Sequence, residues 1–358
     1  MMKNRRRKSS DVSSAPRIPA AERLLVELVP ELTATRVLCT SLSRGQFAKE
    51  FAAAHAEAHV HCHFFDVYLA DEARSLLGKK HANVEVACAA DFPADEFDLV
   101  AIPVHTSGDA ELTRELLQAG HIALGLGGRI VASTKNRDDQ WLHAELRKLF
   151  PKVTRRQLKA GTVYLATKTA ALKKVKHFDC EFAFRDGGRL IKAVSRPGVF
   201  SHRSLDAGAR ALLSTMDVRA GNRVLDVGCG SGAVGLAAAL RAENVTVVAA
   251  DSHARAVECT LHGAALNGLS NVTAVLDATG NSVESASFHL AVGNPPYYSD
   301  FRIAEIFLLT AHRALKRGGR AVMVTQHAGW FQQRMNELFT EVRCIPYKAY
   351  TVVTATKK

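Results

Sequence analysis

Asp226 lies two positions ahead of three spaced glycines, Gly228, Gly230 and Gly232, at the end of the apolar stretch Val224 to Val227. A strand that runs into glycines and then into a helix lets the backbone approach a ligand closely at the carboxyl edge of a sheet. Gly230 to Gly235 fits G-x-G-x-x-G, and Asp251 follows about 20 residues on, at the end of the next expected strand, the spacing of a nicotinamide-dinucleotide site. A carboxylate there accepts hydrogen bonds from ribose hydroxyls whether the nucleoside belongs to NAD or to S-adenosylmethionine. Asp226 discriminates between the two. Its charge suits the cationic amino group of a methionine moiety and would repel a pyrophosphate.

Asn294-Pro295-Pro296-Tyr297 follows the fourth apolar run of the same region. The prolines fix φ and aim the backbone carbonyls. The Asn294 amide oxygen and the Pro295 carbonyl can then accept both protons of a planar amino group, while Tyr297 stacks on the ring that bears it. Acceptors so placed hold the amine lone pair toward an incoming methyl group, and transfer becomes a matter of positioning. No general base is required, because the amine can lose its proton after transfer. Together the two motifs make S-adenosylmethionine the expected cofactor and Asn294 to Tyr297 the expected acceptor site.

Bringing both motifs to one sheet edge takes alternating strands and helices, and the chain supplies them twice. Arg36-Val37-Leu38-Cys39 through Gly45 lines up with Arg223-Val224-Leu225-Asp226 through Gly232. Phe97 to Ala101 matches Phe288 to Val292, and Gly127-Gly128-Arg129 matches Gly318-Gly319-Arg320. The order is kept and the offset drifts little, which points to a duplication. In the second half, strands are expected at 223–227, 245–250, 272–276, 290–293 and 321–326, with helices at 233–241, 254–267 and 303–315. This alternation predicts an α/β fold of two tandem Rossmann-like domains, each a doubly wound parallel sheet. A hairpin is expected to turn at Asp186-Gly187-Gly188 between 180–184 and 190–194. The expected domains are a basic tail (1–19), a first domain (20–171), a basic linker (172–196) and a catalytic domain (197–358).

The 358 residues are 47% hydrophobic and 23% charged, which excludes a largely disordered or fibrous chain. No apolar run approaches the roughly 18 residues that suggest a membrane span, and the basic start is not followed by the apolar stretch of a secretory signal. The seven cysteines are scattered and never form C-x-x-C, as expected of a cytoplasmic protein with reduced thiols. Net charge is +12 and uneven: +4 in residues 1–11, zero in 12–171 and +8 in 172–358. A basic catalytic half raises the local concentration of polyanions. Lys173, Lys174, Lys176, Arg185 and Arg189 are the expected phosphate contacts.

With these motifs in hand, residues 198–358 resemble the class I S-adenosylmethionine methyltransferases that carry an Asn-Pro-Pro-aromatic tetrapeptide. Pro197-Gly198-Val199-Phe200-Ser201, Leu205-Asp206-Ala207-Gly208 and Leu212-Leu213-Ser214-Thr215 are similar, more narrowly, to bacterial ribosomal-RNA guanine-N2 methyltransferases, the small-subunit methyltransferase C and large-subunit methyltransferase G families. That resemblance covers nearly the whole chain beyond the tail, because those families also carry a degenerate N-terminal copy. It implies ribosomal RNA as partner and a guanine 2-amino group as acceptor, in a nucleotide that is unpaired or flipped out. It further implies that Asp226, Gly228 and Gly230 contact the methionine end, Asp251 the ribose and Asp277 the adenine amino group, with Phe200 and Ser201 bordering the pocket. Those families usually have Phe then His after the prolines, whereas this chain has Tyr297 and Tyr298, so adenine N6 stays open. A protein N5-glutamine methyltransferase and a non-catalytic RNA-binding assembly protein are the other readings.

The first copy lacks these parts. Cys39 replaces the acid, Ser41 and Ser43 stand at the places of Gly228 and Gly230, and Pro103-Val104-His105-Thr106 replaces the tetrapeptide. Neither cofactor binding nor amine positioning is expected there, and Asp66, set opposite Asp251, is expected to be a solvated loop residue. If the first half serves RNA recognition, residues 178–358 alone are expected to bind cofactor but methylate poorly. His55, His59, His61, Cys62 and His63 are dense, yet alternate strand residues cannot converge, so no metal is expected. A monomer is expected.

Overall fold

A computed structural model describes residues 17–106, 108–296 and 300–358; the basic start of the chain and Tyr297 lie outside them. The first half runs α1 (Ala20–Glu27), β1 (Arg36–Thr40), α2 (Gln46–Ala54), β2 (His59–Phe64), α3 (Val67–Leu77), β3 (Val84–Cys88), β4 (Phe97–Val104), α4 (Ala110–Ala123), β5 (Leu124–Thr134), α5 (Trp141–Arg147), β6 (Val153–Leu158) and β7 (Gly161–Thr167). A hairpin, β8 (Cys180–Asp186) and β9 (Arg189–Ser195), follows. The second half runs α6 (Ala207–Thr215), β10 (Arg223–Val227), α7 (Ala233–Arg241), β11 (Thr246–Asp251), α8 (Ala254–Leu266), β12 (Val272–Leu276), β13 (Phe288–Gly293), α9 (Arg302–Ala314), β14 (Leu315–Thr325), α10 (Ala328–Leu338), β15 (Thr340–Tyr347) and β16 (Tyr350–Thr356).

Each half holds a seven-stranded sheet, in the order β3-β2-β1-β4-β5-β7-β6 and β12-β11-β10-β13-β14-β16-β15. The correspondence extends to details. The register slips between Phe97 and Leu99 in one sheet and between Phe288 and Leu290 in the other. Gly127 and Gly128 exchange backbone hydrogen bonds with Lys168 as Gly318 and Gly319 do with Lys357. The expected all-parallel sheets are corrected at one edge: β7 and β16 run antiparallel to both neighbours.

The central strands are apolar on both faces, as parallel strands covered by helices must be. Along β10, Val224 joins Leu236, Val247 and Leu290 on one side, while Leu225 joins Phe288, Leu308 and Phe331 on the other. Each such side chain, fully buried, contributes about 1.5–3 kcal/mol. Asp226 interrupts this pattern: it sits in β10 at 3% exposure. The expected helices hold to within a residue or two, and the hairpin turns where the glycines place it.

Candidate active site

β10 and β13 are adjacent and parallel, with Asp226 opposite Val292 and Val227 opposite Gly293. The loop after β10 and the Asn294-Pro295-Pro296 segment after β13 therefore emerge side by side at the carboxyl edge. This is where open α/β sheets bind ligands. Asp251 ends β11 on the other side of β10.

The loop from Gly228 to Gly232 spends its N–H groups inside the protein. Gly228 and Cys229 donate to the Ala250 carbonyl, Ser231 to the Phe200 carbonyl and Gly232 to the Cys229 carbonyl. Gly230 donates to Asp251 at 2.9 Å. At the start of α7, Gly235 donates to Asp226, also at 2.9 Å. A pyrophosphate needs free N–H donors at a helix N-terminus; those of Gly228 to Gly232 and of Gly235 are taken, and a buried carboxylate stands beside them. Burial pushes the Asp226 carboxyl up to about 7, and Asp251 adds repulsion. A cation brought beside it would relieve both effects, so the buried carboxylate suits the ammonium end of S-adenosylmethionine better than a pyrophosphate.

The glycines are also demanded by the fold. At φ 71° and 54°, Gly228 and Gly230 hold left-handed backbone, and a Cβ on either would collide with the protein itself, with the Phe307 ring and the Phe200 carbonyl. Phe200 is 65% exposed, and its carbonyl accepts from the Ser231 N–H in the glycine loop. Asp251 accepts from Gly230 and His253, and burial raises its carboxyl above the usual range. Asp277 accepts from the backbone of Thr279, Gly280 and Ser282, which holds it below the usual range despite the opposing effect of burial. Its carboxylate thus shapes the loop after β12.

On the acceptor side, Asn294 is half-buried and donates its Nδ2 to Asp206 Oδ2 at 3.4 Å. A carboxylate only accepts, so it selects the amide's NH2 face and leaves Oδ1 as the acceptor. Asp206 is itself held by capping α6, accepting from Gly208 and Ala209. A Cβ at Gly208 would lie 2.9–3.0 Å from the Asn294 amide, so any larger residue there would push that amide out of place. Phe301 and Trp330 stack 4.6 Å apart just beyond this segment, with His327 edge-on to Phe301. Sequence reasoning missed the roles of Asp206, Gly208 and this aromatic group; the Asp-x-Gly spacing ahead of a helix was the available signal.

In the first half the loop after β1 is filled by the chain itself. Glu22, from α1 and fully buried, accepts from the Ser41 hydroxyl at 2.8 Å and from the Leu42 and Phe47 N–H groups. Cys39 lies buried where β10 carries Asp226. Asp66 requires a correction. It caps α3, aligns with His253 at the corresponding cap, and accepts from Ser252 at 2.7 Å across the two halves; Phe64 is the residue opposite Asp251. His59 and His61 both face Glu85, His61 stacks on His63 at 5.8 Å, His63 meets the Ala89 carbonyl, and His55 lies apart on the Phe51 ring. Among the described residues no group of three or more His, Cys, Asp or Glu could hold a metal. Also among them, no helix is long and apolar enough to cross a membrane.

Residues 191–354 match the family described as Methyltransferase small domain. Similar curated proteins include the ribosomal RNA small subunit methyltransferase C of Pseudoalteromonas atlantica, 30% identical over 43% of this chain and 46% of that protein. The protein of that name from Chromohalobacter salexigens is 36% identical over 40% and 45%. The chain thus matches less than half the length of these relatives. The fold of both halves is shared with the T. thermophilus 16S rRNA N2 G1207 methyltransferase (RsmC), solved in complex with AdoMet and guanosine. The TM-score is 0.75 at 22% identity, covering 94% of this chain and 92% of that one. The family match thus falls on the half that carries Asp226, Asp251 and Asn294.

Proposed function

We propose that the chain methylates an exocyclic amino group of ribosomal RNA in the cytoplasm, with guanine N2 as the acceptor. The observation that carries this reading is the orientation of Asn294 by Asp206, which leaves an amide oxygen as acceptor beside the buried Asp226 on the neighbouring strand. The names of the curated relatives and the basic second half support RNA over a protein glutamine.

S-adenosylmethionine, when bound, supplies an electrophilic methyl on a sulfonium. Asp226 would take its ammonium, Gly228 and Gly230 would shape the loop around its methionine end, and Asp251 its ribose. Asp277 would meet the adenine amino group, and Phe200 and Ser201 would close the pocket. The Asn294 amide oxygen and the Pro295 carbonyl would accept the amine's two protons, Pro296 would fix the turn, and Tyr297 would stack on the base. Such positioning replaces proton abstraction, and the proton leaves to water once the fourth bond on nitrogen has formed. We infer further that the two halves arose by duplication and that Glu22 and Cys39 mark the first as non-catalytic.

Single-turnover methylation of ribosomal RNA followed by nucleoside analysis tests the reading. N2-methylguanosine from wild type, reduced about 10²–10³-fold in Asn294→Ala and largely kept in Tyr297→Phe, is the expected result. N6-methyladenosine would replace the base, methylated release factor would replace RNA, and full activity in Asn294→Ala would remove the mechanism.

A further inference from the structure

The first half and the linker share a groove of about 380 Å³, bounded by α4 and α5 on one side and residues 171–178 on the other. Five cations line it: Arg114, Lys148, Lys173, Lys174 and Lys176. Its one carboxylate, Glu145, is already paired with Arg114 at 3.2 Å and Lys148 at 2.8 Å. The three linker lysines are exposed and have no carboxylate partner among the described residues. Three like charges within four residues repel one another, so a built groove that gathers them calls for an anion.

The lysines are not on a free strand of chain. Gln118, buried in α4, donates to the Lys176 carbonyl at 2.8 Å and accepts from the Lys176 N–H at 2.9 Å. This two-point clamp fixes the linker against α4. Aromatic surface is interleaved with the charge: Phe178 lines the groove, and Arg114 sits 5.5 Å over the ring of the partly exposed Trp141. Cations alternating with aromatic faces are what a single-stranded nucleic acid requires, the first for phosphates and the second for bases. Arg185 and Arg189 differ from the lysines, since their guanidinium groups are bonded to the Gly188 and Leu240 carbonyls.

α4 also connects this groove to the methyl-transfer pocket. At its start Asp109 accepts from Gly198 at 3.0 Å, and Glu111 binds Arg203 and His202, on the C-terminal side of Phe200 and Ser201. From Asp109 to Gln118 the helix rises about 14 Å. We propose that the groove between α4, α5 and the linker holds the phosphate backbone of the substrate RNA and feeds the strand along α4 to the pocket. This rests on the RNA reading of the site.

The test separates binding from chemistry. RNA affinity is measured on the full chain, without cofactor, across a salt series, for wild type, Lys174→Gln and the triple change Lys173→Gln, Lys174→Gln, Lys176→Gln. Expected for the triple variant are a dissociation constant about tenfold higher and a log–log salt slope shallower by about 2. The single variant should show about a third of the slope change. Cofactor affinity should be unchanged, since the substituted side chains make none of the contacts that hold the linker, and replacement by arginine should restore the slope. An unchanged affinity and slope in the triple variant overturns the groove and leaves the methyltransferase reading intact. Wild type that shows the groove's salt signature but transfers no methyl to the RNA upholds the groove and sinks the proposed acceptor. Equal loss of binding to poly-glutamate and to RNA overturns RNA as the occupant.

Discussion

Asp226 is a charge placed where a charge is costly, and that cost makes its role measurable. An unfolded carboxyl titrates near 3.9, whereas burial, with repulsion from Asp251, lifts the folded group to about 7. The folded chain therefore holds an extra proton between those values, so this residue's stability contribution is present below about pH 4 and is lost as pH rises toward 7. Cofactor binding must run the other way, because the ammonium requires the carboxylate. Calorimetric titration should show affinity falling by about tenfold per pH unit below 7. Asp226→Asn should be pH-independent, weak in binding and more heat-stable than wild type at pH 8; a wild-type affinity flat from pH 5.5 to 8 would sink this role. Asp206 allows a second separation, since asparagine also caps helices well. Asp206→Asn should keep α6 and cofactor affinity while lowering the single-turnover rate about tenfold, because the Asn294 amide is no longer held to one face. An unchanged rate in that variant would mean that Asp206 only caps.

At the scale of elements, α1 and α6 occupy corresponding places yet treat their loops differently. Glu22 on α1 reaches into the loop after β1 and takes its donors, whereas Ala209 stands at the matching place on α6 and leaves the loop after β10 to Asp226. The carboxylate that the second half carries on a strand stands in the first half on a helix, where it fills the loop. Calorimetry should accordingly count one cofactor per chain, and Asp226→Ala should remove it; two sites, or binding that survives, would refute a closed first half. Most of this scaffold was legible in the sequence, because strands buried on both faces read as continuous apolar runs and their glycine turns recur at a near-constant offset. The antiparallel pair β15 and β16 was not, since β15 alternates between half-buried and exposed residues and carries no apolar run. Glu22 was invisible for a different reason: a glutamate in an amphipathic helix reads as solvated unless its loop partner, about 20 residues away, is known. The same holds for Asp66, whose partner Ser252 is 186 residues distant.

The two halves meet through loops that occupy equivalent places in each. Val67 donates to the Ser252 carbonyl and Ala254 to the Phe65 carbonyl, so the loops before α3 and α8 pair with each other as near-mirror partners. Beside this bridge Arg255, 2% exposed, bonds Glu115 at 2.7 Å together with the Ala90 and Pro197 carbonyls, and lies 4.3 Å over the Phe65 ring. Arg196 adds Asp91, Glu115 and Glu258. A buried ion pair is weak grounds for added stability, but removing one partner strands the other and costs about 3–5 kcal/mol. Here that loss would fall on the contact between halves and on the loop that carries Asp251, Ser252 and His253. The contacts between the halves thus support the loop that carries Asp251, and residues 178–358 alone should bind cofactor more weakly than the full chain. The full chain should unfold in one calorimetric transition. Arg255→Ala should split it in two or lower it by several degrees, with weaker cofactor binding, whereas Arg23→Ala, at an exposed pair on α1, should change neither. Two separate transitions in wild type, or an Arg255→Ala variant with unaltered melting and affinity, would show that the halves are merely tethered and that the pocket stands without its neighbour.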